Sequence, residues 1–163
     1  MLTGFLGARE EKKGGLGVGS EKMKGDGAPA SKHAQAWSAL LAHIRGLGPL
    51  TVACSGGIDS RFLAHAALRA GVPVGLVHVA GPHVPPADSA YALSWAESCG
   101  LPVRVLRLDP LDLPEVAAGG RERCYACKSF LFSRIKAAVD GPVCDGSNAS
   151  DAAEFRPGRR ALR

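Results

Sequence analysis

Between residues 50 and 144, short apolar runs alternate with longer runs of helical period, and this alternation constrains the fold more than any other feature. Residues 50–53 (LTVA), 72–79, 103–108 and the brief 142–144 read as strands. Residues 60–70 read as a helix, with Phe62, Leu63, Ala66, Ala67 and Ala70 on one face. Residues 87–99 and 125–139 read as two more helices, the latter aligning Leu131, Ile135, Ala138 and Val139. A further helix precedes the first strand. In it Trp37, Leu40, Leu41, Ile44 and Leu47 recur at helical spacing, and Gly46 and Gly48 stop the run. Residues 109–121, rich in Pro, Asp and Gly, read as a loop. Strands that alternate with helices imply a parallel sheet covered on both faces. Right-handed crossovers then bring every strand-to-helix loop to the carboxyl edge of the sheet.

The first of those loops is the most informative. ACSGGIDS (53–60) follows a strand directly and opens a helix. Gly56 and Gly57 permit a tight turn with no Cβ in the way of a ligand. The helix start adds unpaired N–H groups and the positive end of its dipole. Together they form an anion site whose usual occupant is phosphate. Ser55 and Ser60 offer hydroxyl donors. Asp59 is out of place beside an anion unless it caps the helix or holds Mg2+ against phosphate oxygens. The loop lacks the Gly-Lys-Ser/Thr ending of the kinase-type P-loop.

The S-G-G-x-D-S string placed between strand and helix resembles the PP-loop of ATP pyrophosphatases. RERCYACKSFLF (121–132) and DGSNASDAAEFRPGRRA (145–161) narrow the likeness to the LarE family of ATP-dependent sulfur transferases. The resemblance spans about residues 34–163. It implies an α/β, Rossmann-like three-layer sandwich of the adenine nucleotide alpha hydrolase type. It also implies adenylation of a carboxylate on a pyridinium mononucleotide, with pyrophosphate release and then sulfur insertion, toward a nickel-pincer cofactor. The cofactors implied are ATP and Mg2+. ATP would be held by Ser55, Gly56, Gly57, Asp59 and Ser60, with Asp59 and Lys128 in catalytic roles. Asp145, Gly146, Asn148, Asp151 and Arg156 would lie near nucleotide or substrate, with Arg123 and Lys128 as cationic contacts.

Cys124 and Cys127 form a C-x-x-C pair with several readings: half of a zinc site, a redox pair, two ligands of an iron–sulfur cluster, or two packed thiols. His78 and His83 are the candidates to complete a zinc site. Some family members resemble this pair and carry a 4Fe-4S cluster on three cysteines; others give up a cysteine's own sulfur. Cys54, Cys99 and Cys144 read as small apolar packing residues. His33, His43 and His65 fall at exposed helical positions, and Tyr91 and Trp95 read as helix packing.

At 163 residues, 46% hydrophobic and 21% charged, the chain is long enough for one core. Residues 1–32 are set apart, since eight of the 21 glycines fall within the first 27 positions among Lys, Glu and Asp. They read as a low-complexity tail without fixed structure, leaving 33–163 as the ATP-binding domain. No apolar run approaches the roughly 18 residues of a membrane span, and no secretory pattern opens the chain. Five cysteines in an α/β pattern fit reduced thiols and a cytoplasmic location. The net charge of +5 is modest and aromatics make up 6%, which argues against nucleic acid as partner. In the family a further C-terminal region follows the R-P-G segment, so association with a second copy or a partner is expected. Two alternatives stay open: an amide-forming ligase of the NAD/GMP synthetase kind, and a nucleotide-binding remnant without catalysis.

Overall fold

The computed structural model describes residues 31–148 and 157–162. The elements run α1 (Lys32–Leu47), β1 (Leu50–Ala53), α2 (Ile58–Ala70), β2 (Val74–Ala80), α3 (Pro86–Ser98) and β3 (Val103–Arg107). A 3-10 turn (Pro110–Asp112), α4 (Pro114–Ala117), α5 (Arg123–Ala138), β4 (Val143–Cys144) and a final 3-10 segment (Pro157–Leu162) complete them. The sheet is parallel throughout, in the order β3-β2-β1-β4. From β1 the chain steps outward to β3, then returns to the other side of β1. The order therefore reverses between β1 and β4, and open α/β sheets bind ligands at such a switch point.

One face of the sheet is densely packed. Leu50 and Val52 of β1 pair in register with Val74 and Leu76 of β2, and all four join the core formed with α1, α2 and α3. Helix α2 meets this face through Ala64, Ala66 and Ala67, all completely buried. Side chains this small let the helix axis lie close to the strands, so its first turn is held tight against the end of β1. Gly71 ends α2 in a left-handed conformation, φ +74°. Arg45 Nε donates to Ala70 O at 3.1 Å and fastens α1 to the same end. The opposite face is covered by α5 through Leu131 and the buried Ile135, with Val77 and Val79 beneath. The fold is thus the expected three-layer α/β sandwich.

Boundaries depart from expectation by a few residues, for local reasons. Ser31 and Lys32, assigned to the tail, are the N-cap and first residue of α1. Ser31 Oγ accepts from Ala34 N at 3.2 Å, a standard cap. Residues 1–30 of the expected tail lie outside the described residues. The expected loop 109–121 contains two short helical turns, each opened by a proline, Pro110 and Pro114, whose fixed φ suits a first helical position. Helix α5 starts at Arg123 rather than residue 125, which puts Cys124 within its first turn. His33, His43 and His65 are exposed as expected. Tyr91 is not a packing residue: it is 52% exposed, and its hydroxyl accepts from Arg61 Nη1 at 2.6 Å. The same guanidinium lies over the Tyr91 and Trp95 rings, 5.0 and 5.9 Å from their centroids.

Candidate functional site

The corner between β1 and α2 divides its labour between two glycines. Gly56 holds φ +86°, and a methyl group there would stand 3.0 Å from Ala92 Cβ of α3. It serves the turn and the approach of α3. Gly57 has an extended backbone and is the N-cap of α2, with no side chain capping the helix. A methyl on Gly57 would meet only Ser55 Oγ, at 3.4 Å, so this is where a ligand can lie against bare backbone. Asp59 is the second residue of the helix, not its cap. It is exposed and belongs to the first turn, whose amide groups have no partner within the helix.

The two serines differ. Ser55 is exposed; its Oγ accepts from Gly57 N at 3.3 Å and lies 3.4 Å from Ser60 Oγ. Ser60 is buried, and its hydroxyl donates to Gly57 O at 3.0 Å. Ser60 therefore braces the corner, while Ser55 presents the accessible hydroxyl.

A cavity of about 390 Å³ opens from this corner, a volume within the usual range for small-molecule sites. Its polar wall holds Ser55, Gly57, Asp59, Lys128 and the loop Asp145-Gly146-Ser147, and its apolar wall holds Val77, Val79, Leu131 and Phe132. The loop after β4 is fitted to the loop after β1. A methyl on Gly146 would stand 2.7 Å from Ser60 N and 3.0 Å from Asp59 Cβ. Asp145 stabilises its own turn by accepting from Ser147 N at 3.3 Å and from Ser147 Oγ at 2.9 Å. Two carboxylates, Asp59 and Asp145, thus share the cavity wall. Mg2+ takes one or two carboxylates and completes its shell with phosphate oxygens and water, so these residues fit a Mg2+–nucleotide complex.

His78, considered as a zinc ligand from the sequence, has another task. It is 1% exposed, with Nδ1 2.8 Å from Cys54 O and Nε2 3.0 Å from Ser89 Oγ. A carbonyl oxygen only accepts, so Nδ1 carries the proton, and in the neutral ring Nε2 accepts from the serine hydroxyl. Both nitrogens are engaged, and the ring ties the residue before the corner to α3. Sequence periodicity carries no signal for this bridge, because its two partners lie on different elements. His83 also lines the cavity.

Neither Cys124 nor Cys127 lines the cavity, although Lys128, the next residue, does. Cys124 is exposed and Cys127 half-buried. Burial pushes the Cys127 thiol above its ordinary value, with Cys124 adding to the effect and Arg123 and Lys128 opposing it. Burial raises Cys144 likewise, helped by Asp145. Among the described residues no group of three His, Cys, Asp or Glu side chains is placed to hold a metal ion. Among these described residues the pair therefore has no further ligands of the kind zinc or a cysteine-held cluster requires. Arg123 is exposed outside the cavity wall, and Asn148 is exposed just past Ser147. Asp151 and Arg156 lie outside the described residues.

A parallel sheet whose switch point carries an S-G-G-x-D-S corner defines a PP-loop α/β domain, the fold of the ATP pyrophosphatase superfamily. The comparisons agree. The chain is 39% identical over 115 residues to a tRNA(Ile)-lysidine synthase of Salinispora arenicola, covering 66% of this chain and 34% of that protein. It is 31% identical over 99 residues to an NH3-dependent NAD+ synthetase of Mannheimia succiniciproducens, covering 57% and 40%. The structure of NMN synthetase from Francisella tularensis superposes with a TM-score of 0.55 at 16% identity, over 72% of this chain and 55% of that one. The chain thus spans well under half the length of these two curated relatives. No protein-family model matches it. Among the described residues no helix is long and apolar enough to cross a membrane.

Proposed function

We propose that the chain supplies the nucleotide-binding part of an ATP-dependent enzyme that activates its substrate as an adenylate and releases pyrophosphate. The observation that carries this reading is the Gly57 corner. Bare backbone, the first turn of α2 and Ser55 Oγ face a cavity that also holds Asp59, Asp145 and Lys128. The corner binds the β- and γ-phosphates through backbone N–H groups. Asp59 and Asp145 would hold Mg2+, which offsets the charge of the leaving pyrophosphate, and Lys128 adds a cation on the α5 side. A substrate carboxylate oxygen attacks the α-phosphorus, the bond to the β-phosphate oxygen breaks, and pyrophosphate leaves. The acyl adenylate that forms is a far better electrophile than the free carboxylate.

For the second step we propose sulfur transfer of the LarE type: a sulfur nucleophile attacks the acyl carbon and AMP leaves. The R-C-Y-A-C-K segment supports it, since it places two thiols on the α5 turn beside Lys128. The NAD+ synthetase relative supports a second reading in which ammonia attacks the same adenylate.

The test is pyrophosphate release from ATP and Mg2+ with a panel of carboxylate nucleotides, for the native chain and for Asp59→Ala. Release that requires both a carboxylate and Asp59 is expected. Trials that add sulfide or ammonia then identify the second nucleophile by the product's mass. No release with any carboxylate, or undiminished release from Asp59→Ala, would overturn the reading.

A further inference from the structure

We infer that Gly158 is a positioning residue for Lys128, so that the Pro157–Leu162 segment acts on the nucleotide site through this lysine and not by touching the ligand. The inference deepens the proposed function and rests on it. Gly158 is buried and forms no part of the cavity wall. A methyl group there would stand 2.8 Å from Lys128 Cδ, 3.3 Å from Lys128 Cγ and 3.1 Å from Cys124 O. Gly158 therefore backs the lysine stem, and Lys128 itself lines the cavity with Asp59 and Asp145.

The segment is strapped to the same turn of α5. The Arg160 guanidinium lies over the Tyr125 ring, 4.6 Å from its centroid, and pairs with the Glu122 carboxylate. Gly158 is not among the glycines with positive φ, so alanine is admissible to the backbone. What excludes a side chain is chiefly the middle of the lysine. A free lysine stem has four rotatable bonds and loses much entropy when its ammonium is fixed on a phosphate. A wall against Cγ and Cδ removes part of that freedom before the ligand arrives, which is preorganisation.

Calorimetric titration of Mg2+–ATP into four full-length proteins tests this: native, Gly158→Ala, Lys128→Met, and the double variant. We expect Gly158→Ala to weaken binding about tenfold, the scale of one charge-assisted contact. We expect the same substitution to change nothing in the Lys128→Met background. Equal loss in both backgrounds would mark Gly158 as merely structural and overturn the inference, as would native affinity in Gly158→Ala. Full affinity in Lys128→Met would remove the lysine's role and the inference with it. A native chain that binds no Mg2+–ATP would sink the proposed function instead. Should Gly158→Ala not fold, Arg160→Ala releases the strap from its exposed end and carries the same expectations.

Discussion

The amide nitrogen of Ser60 and the Cα of Gly146 are packed so closely that a methyl group on Gly146 would stand 2.7 Å from that nitrogen. This contact joins the loop after β4 to the loop after β1 across the switch point of the sheet. It makes the cavity corner a composite of two chain segments far apart in sequence.

The corner's glycines should therefore separate by substitution. Gly146→Ala drives a methyl into backbone that has little room to give and should cost about 1–3 kcal/mol. Gly56→Ala should cost at least as much, because it adds a positive-φ penalty to its clash with Ala92. Gly57→Ala meets only ordinary contact inside the protein. It should leave stability nearly unchanged while weakening nucleotide binding, because it fills the surface that a phosphate needs. Urea unfolding together with ATP titration checks the series. Gly57→Ala that unfolds early yet still binds ATP would contradict the assignment.

The bridge made by His78 gives a second prediction. Asparagine at this position places an amide N–H close to where Nδ1 donates to Cys54 O, while glutamine reaches closer to the Nε2 position facing Ser89. His78→Phe should lose about 1–3 kcal/mol or more by leaving a buried carbonyl and hydroxyl without partners. His78→Asn should recover part of that loss and His78→Gln less, since Cys54 O is the partner next to the corner. Denaturation midpoints of the three variants, with Ser89→Ala beside them, give the order directly.

Much of this arrangement was legible in the sequence, and the illegible parts share a cause. Strand and helix periods located eight major runs because each depends on neighbours within one element, as with Ala66, Ala67 and Ala70 on α2. The S-G-G-x-D-S corner was legible for the same reason: strand, turn and helix start lie within a dozen residues. The role of His78 was not, since its partners Cys54 and Ser89 come from two other elements. Nor was the division between Gly56 and Gly57, which depends on Ala92 of α3. The place of Gly158 behind Lys128 was hidden too, because that contact joins α5 to a segment about thirty residues further along the chain.

Cys127 and Cys144 predict an alkaline effect on stability. Both thiols are pushed above the ordinary value of 9.0 in the folded chain. The folded state therefore holds these protons at pH values where the unfolded chain has begun to release them. Their contribution is fully present below pH 9 and is lost as pH climbs through the raised folded values. The urea midpoint should fall over that window, and the fall should be shallower in Cys127→Ser and Cys144→Ser. A midpoint that rises with pH there, or variants that track the native chain, would show the shifts are absent.

The same raised thiol bears on sulfur chemistry. A thiolate is the nucleophile and the metal ligand, and burial opposes its formation at Cys127. At neutral pH, Cys127 should react slowly with iodoacetamide, and the exposed Cys124 faster. The rate at Cys127 should climb only on the alkaline side of pH 9. Anaerobic treatment of this chain with iron and sulfide should likewise leave no cluster absorption, because two thiols on one turn of α5 lack the third ligand and no described side chain supplies it. If Cys127 is alkylated rapidly at pH 7, or reconstitution yields a stable visible chromophore that Cys127→Ser abolishes, the pair is a preformed thiolate site. Sulfur delivery would then start from α5 itself. If neither occurs, this pair is not the sulfur donor of the proposed second step, and its contribution is confined to the turn that holds Lys128.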